Sequence, residues 1–80
     1  MTHFSRFLKV ESSNIEAVAY DPASETLGIV FESTSEYVYE YEEVPPKVFA
    51  GLVCAESVGA YFSKEIRPYP AKYPFTKRKR

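Results

Sequence analysis

Residues 36–49 read EYVYEYEEVPPKVF, and this stretch decides the fold class because its periodicity changes partway along. Up to Tyr41, tyrosines alternate with valine and glutamate, and a period of two is typical of a β-strand. Pro45 and Pro46 then end the extended run. Proline is tolerated in the first turn of a helix, since its missing N–H has no intrahelical partner there. The stretch therefore predicts a strand followed directly by a helix.

Two further strands are predicted before this stretch, at residues 15–20 and 26–32, because apolar and other side chains alternate in both. Asp21 and Pro22 are typical of a tight turn between the first two strands, and a polar run at residues 33–35 supplies the second turn. Three strands joined by short turns form an antiparallel meander, with each strand beside its sequence neighbour.

Two short helices are predicted after the strands. Residues 46–55 carry an apolar stripe at helical spacing, and Ser57 is a good N-cap for a second helix that ends near Lys64. We therefore expect an α+β fold, a three-stranded antiparallel β-meander followed by two short helices packed on one face. Residues 1–13 are a polar lead-in, residues 14–67 the α+β domain, and residues 68–80 a tail of proline, aromatic and basic residues. We expect this tail to be extended and disordered at its end.

The charge is distributed unevenly along the chain. Residues 1–63 hold three basic against ten acidic residues, whereas residues 64–80 hold seven basic residues against one acidic residue. A basic end is typical of contact with a polyanion, but it is equally consistent with a solvated terminus or with a tail that folds against its own acidic body. Arg67 and the tail, whose cations are interleaved with aromatic rings, supply the candidate nucleic-acid-binding residues, which are Arg67, Tyr69, Lys72, Tyr73, Lys77, Arg78, Lys79 and Arg80.

Tyr37, Tyr39 and Tyr41 share one face of the predicted third strand, about 7 Å apart along it. Aromatic rings on a sheet face can stack unpaired bases. The alternative is that the three rings form the face covered by the helices, and the sequence leaves both interpretations open.

No constellation typical of an enzyme or a metal site is present. The single histidine, His3, and the single cysteine, Cys54, form neither a zinc site nor a nucleophile–base pair, and three dispersed glycines make no phosphate-binding loop. We expect no cofactor. A lone cysteine among apolar neighbours predicts a buried thiol and a cytoplasmic location, and no window is apolar enough to span a membrane.

Several short motifs together resemble the KTSC domain, which occurs at the C-terminus of some lysyl-tRNA synthetases and as stand-alone bacterial proteins. The resemblance covers about residues 14–73. It rests on Tyr20-Asp21-Pro22, Tyr37-Val38-Tyr39, Val44-Pro45, Ala55-Glu56-Ser57-Val58-Gly59, Tyr61-Phe62 and Ile66-Arg67.

This resemblance implies no chemistry, and it implies RNA binding only through the synthetase connection. The central tyrosine pair of the family corresponds to Tyr37 and Tyr39. Ala60 and Ser63 depart from the family pattern, which often has a basic residue and an asparagine at these positions. We expect a non-catalytic module that binds RNA or another nucleic acid. The alternative is a protein-interaction module or homodimer that uses a sheet edge or an aromatic patch.

Overall fold

The computed structural model describes residue 4, residues 7–10, residue 12 and residues 14–79. This part of the chain forms one five-stranded antiparallel sheet, with the strands side by side in chain order, and two helices between the fourth and fifth strands. The elements are β1 (Leu8–Lys9), β2 (Ile15–Asp21), β3 (Thr26–Phe31), β4 (Tyr37–Tyr41), α1 (Pro46–Cys54), α2 (Val58–Glu65) and β5 (Phe75–Lys79), and a short 3-10 helix (Glu32–Thr34) connects β3 to β4.

The α+β class, the two helices and the strands β2, β3 and β4 are confirmed, but the prediction of three strands is wrong. β1 is only two residues long, and all five residues of β5 are exposed. A short or solvated edge strand needs no apolar alternation, since it is held by backbone hydrogen bonds that most residue types can supply. Pattern reading therefore misses both edges of the sheet.

The segment from residue 68 onward is also more ordered than the sequence predicts. Turns run as far as Tyr73, which is 3% exposed and belongs to the main core. The backbone N–H of Glu42 then donates to the carbonyl of Pro74 at 2.8 Å, and β5 begins at the next residue. Tyr73 therefore anchors the chain where it returns to β4. His3, Arg80 and much of the polar lead-in lie outside the described residues.

The turn predicted at Asp21 and the helix cap predicted at Ser57 are formed by these side chains. The Asp21 carboxylate accepts from the backbone N–H of Ala23 at 3.2 Å and from the hydroxyl of Ser24 at 2.7 Å, which closes the turn between β2 and β3. The Ser57 hydroxyl accepts from the backbone N–H of Ala60 at 3.1 Å and caps α2.

The two faces of the sheet are covered differently. Both helices contribute to the main core on one face, which contains Ile15, Val18, Leu27, Ile29, Tyr41, Val44, Leu52, Val58, Phe62, Ile66 and Tyr73. The opposite face has a smaller cluster of Ala17, Val30 and Val38, against which Phe4 and Phe7 pack. Phe4 lies directly on Gly28, where a Cβ atom would come within 2.7 Å of its ring.

Cys54 is exposed at the end of α1, so the prediction that its thiol is buried is wrong. Helical spacing places Leu52 in the core, and Cys54, two positions further on, points away from it. Among the residues described, neither helix has the length or the apolar character to cross a membrane.

Candidate nucleic-acid interface

The tyrosine row of β4 is divided between the core and the surface. Strand alternation places Tyr37, Tyr39 and Tyr41 on the face that carries the helices. Tyr41 is 5% exposed, and its ring meets the Phe62 ring of α2 edge to face, with the centroids 5.3 Å apart. Tyr37 and Tyr39 are only half-buried. Neither interpretation of the row therefore applies to all three rings.

Two phenylalanines extend the half-open part of the row. The Phe31 ring contacts the Tyr39 ring edge to face at 5.2 Å. The Phe75 ring of β5 lies tilted against Tyr39 at 5.8 Å and against Tyr41 at 5.2 Å. Phe75 is 49% exposed, so much of its surface is open to solvent. The sheet thus presents a partly exposed aromatic surface where β5 joins β4.

These rings border a depression of about 510 Å³, which we call the aromatic groove. Arg67 follows α2 and stands at the wall of the groove, held by a hydrogen bond of 2.9 Å from its backbone N–H to the carbonyl of Phe62. The groove is lined by Asn14, Phe31, Ser33, Thr34, Tyr39, Tyr41, Arg67, Pro70 and Phe75. It therefore combines four aromatic rings, one guanidinium group and several small polar side chains.

Two lysines of β5 lie on the same face as the tyrosines. The Lys77 ammonium is 4.3 Å from the centre of the Tyr37 ring and 5.8 Å from that of Tyr39. Lys79 is the direct cross-strand partner of Tyr37, and directly paired side chains lie on the same side of a sheet. Arg67, Lys77 and Lys79 thus bring positive charge to the tyrosine face.

Burial favours the neutral form of Tyr41, which lines the groove. Burial raises the pKa of Tyr41 to about 12, and the nearby Arg67 offsets only part of this effect. The phenol therefore stays protonated to a more alkaline pH than an exposed tyrosine does. Among the described residues that line the groove, Arg67 alone carries a formal charge, and that charge is positive.

The eight candidate binding residues at and after Arg67 do not form one surface. Tyr69 and Lys72 border a separate depression beside Tyr61 of α2. Tyr73 lies in the core, where its ring is not available for stacking. Arg78 points to the opposite face of the sheet and pairs with Glu40. Arg80 lies outside the described residues.

The groove also uses residues that the sequence did not single out as binding residues. Phe31 ends β3, and its alternation with Leu27 and Ile29 is the one signal that places it on the tyrosine face. Asn14 immediately precedes β2, and nothing in its sequence context predicts that it borders the groove. No group of three histidine, cysteine or carboxylate side chains that could hold a metal ion occurs in the described ranges.

Comparison with protein families and solved structures identifies related chains. The family model of the KTSC domain matches residues 11–73. The crystal structure of a KTSC domain protein from Yersinia pestis superposes with a TM-score of 0.74 at 30% sequence identity, covering 94% of this chain and 96% of that chain.

Sequence relatives fall into two kinds, small proteins and much longer synthetases. A protein of Tsukamurella paurometabola is 46% identical over 59 residues, which are 74% of this chain and 85% of that protein. A protein of Stutzerimonas stutzeri is 34% identical over 64 residues, covering 80% and 87% of the two chains. A lysine–tRNA ligase of Nostoc punctiforme is 45% identical over 60 residues, which are 75% of this chain but only 10% of the ligase.

Proposed function

The chain belongs to the KTSC domain family, and from that premise we propose that it is a non-catalytic module that binds single-stranded RNA in the aromatic groove. The observation that carries this proposal is the placement of half-exposed aromatic rings beside Arg67, Lys77 and Lys79. Rings of this kind stack on unpaired bases, while neighbouring cations contact phosphates.

The groove favours single strands over duplexes. Bases inside a duplex are already stacked and cannot lie against a protein ring, whereas bases of loops and ends can. Phe75 and Tyr39 offer ring surface to such a base, and Lys77 stands at the same edge of the sheet. Because every base has a π-face, this arrangement predicts tolerance of sequence rather than strict readout.

The relatives make RNA the first polyanion to test. The segment shared with two Nostoc lysine–tRNA ligases is a small part of each enzyme, whose name places tRNA among its substrates. A small fused domain beside a tRNA-handling enzyme is well positioned to contribute RNA affinity. A fold hosts function through its site, so the groove itself carries the proposal.

Pairing of two copies through β5 is the competing proposal, since β5 is an edge strand of the sheet that the described residues form. Three consecutive residues of this edge, Lys77, Arg78 and Lys79, are cationic and exposed. Charged residues, lysine above all, are a usual means of discouraging edge-to-edge association. The charge of β5 therefore favours a polyanionic ligand over a second copy.

Fluorescence anisotropy of the full chain with labelled RNA tests the proposal. A single-stranded oligonucleotide and a tRNA should bind more tightly than an RNA duplex, with affinity that falls as salt rises. Arg67→Gln and Lys77→Gln should each weaken binding and lower the slope of log K against log salt by about one unit. Lys47→Gln is the matched control, because Lys47 is an exposed cation of α1 outside the groove.

The proposal is wrong if the chain does not bind any of these RNAs at low salt, or if Lys47→Gln weakens binding as much as the groove variants. Light scattering on the same samples measures the oligomeric state and so distinguishes RNA binding from pairing of two copies. A dimer that persists without RNA and is lost when β5 is altered would favour edge pairing instead.

A further inference from the structure

A second depression lies on the opposite face of the sheet, beside a buried carboxylate. Glu40 is a β4 residue between Gly28 of β3 and Thr76 of β5, and its side chain is only 6% exposed. It borders a depression of about 340 Å³ that we call the acidic recess. The recess is lined by Asp21, Ser24, Thr26, Glu40, Glu42, Thr76 and Arg78.

The hydrogen bonding of Glu40 is incomplete. Oε1 accepts from Nε of Arg78 at 3.2 Å, but Oε2 is buried and has no hydrogen-bond partner in the described part of the chain. An ionised carboxylate can accept about four hydrogen bonds, and a buried acceptor without a donor is unfavourable. Glu40 is therefore a polar group directed into the sheet face with unused accepting capacity.

The residues that line the recess determine which charge and which hydrogen-bonding groups a matching ligand must have. Among the described residues, three carboxylates and one guanidinium group line the recess, so its lining is rich in acceptor atoms. The Asp21 carboxylate and the Ser24 hydroxyl already hold the turn between β2 and β3. Among the described residues, no three acidic, histidine or cysteine side chains are arranged to hold a metal ion. The matching ligand is therefore an organic cation with N–H donors.

We propose that the acidic recess binds a guanidinium or ammonium group, which supplies the missing donor to Oε2 of Glu40. Arg78 stands at the rim with its side chain half-exposed, so a change of rotamer gives an incoming cation access to the carboxylate. The guanidinium group of Arg78 already donates a hydrogen bond to the Glu40 carboxylate. Hydrogen bonds of this charge-assisted type are stronger than those between neutral groups. The recess faces away from the aromatic groove, so this inference does not depend on RNA binding.

A ¹⁵N NMR titration of the full chain tests the chemistry. Methylguanidinium should give saturable amide shifts confined to residues 21–26, 40–42 and 76–78. Methylurea, which has a similar shape but no charge, should give none. Glu40→Gln should abolish the shifts, while Glu36→Gln, which removes an exposed carboxylate outside the recess, should leave them unchanged.

A second variant keeps the test decisive if Glu40→Gln does not fold. Glu42 is exposed at the rim, and Glu42→Gln should weaken methylguanidinium binding by about two- to fivefold, the range expected for an exposed charge pair. Absence of localised shifts, equal shifts with methylurea, or unchanged shifts in a folded Glu40→Gln variant would each overturn the proposal.

The cation has two chemical sources, a basic side chain of another protein or a free polyamine. Titration with acetyl-arginine amide tests the side chain, and titration with spermidine tests the polyamine. The compound that shifts the amide signals of the recess at the lower concentration indicates the natural source. Saturation by either compound in the recess supports the site, and saturation by neither overturns it.

Discussion

Replacing Phe75 by alanine is the sharpest test of the aromatic groove. Phe75 is 49% exposed, and its ring leans on Tyr39 and Tyr41 from the edge strand β5. Truncation removes the most accessible stacking surface while leaving Arg67 and Lys77 in place. We therefore expect Phe75→Ala to weaken RNA binding while the chain stays folded.

The two magnitudes follow from the exposure of Phe75. Full burial of a phenylalanine contributes about 1.5–3 kcal/mol, so a half-exposed ring contributes about half of that to folding, and the variant stays folded. Stacking of one base on an aromatic ring contributes about 1–3 kcal/mol to binding. Loss of that stacking weakens binding about 5-fold to 150-fold, since 1.4 kcal/mol corresponds to a factor of ten.

Tyr69→Ala is the matched control, because Tyr69 is 51% exposed and lies outside the groove. Anisotropy titrations with one labelled single-stranded RNA compare both variants with the unmodified chain, and urea unfolding checks that each is folded. If Phe75→Ala binds as tightly as the unmodified chain, or if Tyr69→Ala loses as much affinity, the groove is not the stacking site.

Three further predictions concern the fold that supports the groove. Tyr73→Ala should lower the free energy of unfolding by about 3–5 kcal/mol in urea titrations, as other large aromatic truncations in cores do, whereas Tyr73→Phe should stay within about 1.5 kcal/mol. Burial raises the pKa of Tyr41 from 10.0 to about 12, so the folded state keeps a proton that the unfolded chain loses. Between pH 9 and pH 11, the free energy of unfolding should therefore fall by about 1.3 kcal/mol more in the unmodified chain than in Tyr41→Phe. Equal pH dependence of the two chains would contradict this prediction. Ser57→Ala should cost about 1 kcal/mol in thermal unfolding because the cap to Ala60 is lost, while Ser63→Ala on the same helix should not.

Much of the fold could be predicted because the signals were local. The period of two in β2, β3 and β4, the Asp21 turn, Pro46 at the start of α1 and the Ser57 cap each depend on residues only a few positions apart. The candidate site was less predictable. Composition places Tyr73, Lys77 and Arg78 in one basic and aromatic segment. In the fold, Tyr73 is buried in the core, and Arg78 lies on the sheet face opposite Lys77.

The sequence by itself determined the α+β class, the helix positions and the basic character of the C-terminal segment, because backbone preferences, caps and charge are properties of neighbouring residues. Only the tertiary structure decided that β5 joins β4, that Tyr41 is buried while Tyr39 stays half-open, and that Phe31 and Phe75 meet beside Arg67. These outcomes depend on contacts between residues far apart in the chain. The pairing of β5 with β4 depends on backbone hydrogen bonds, which leave no pattern in the side chains from which the pairing could be deduced.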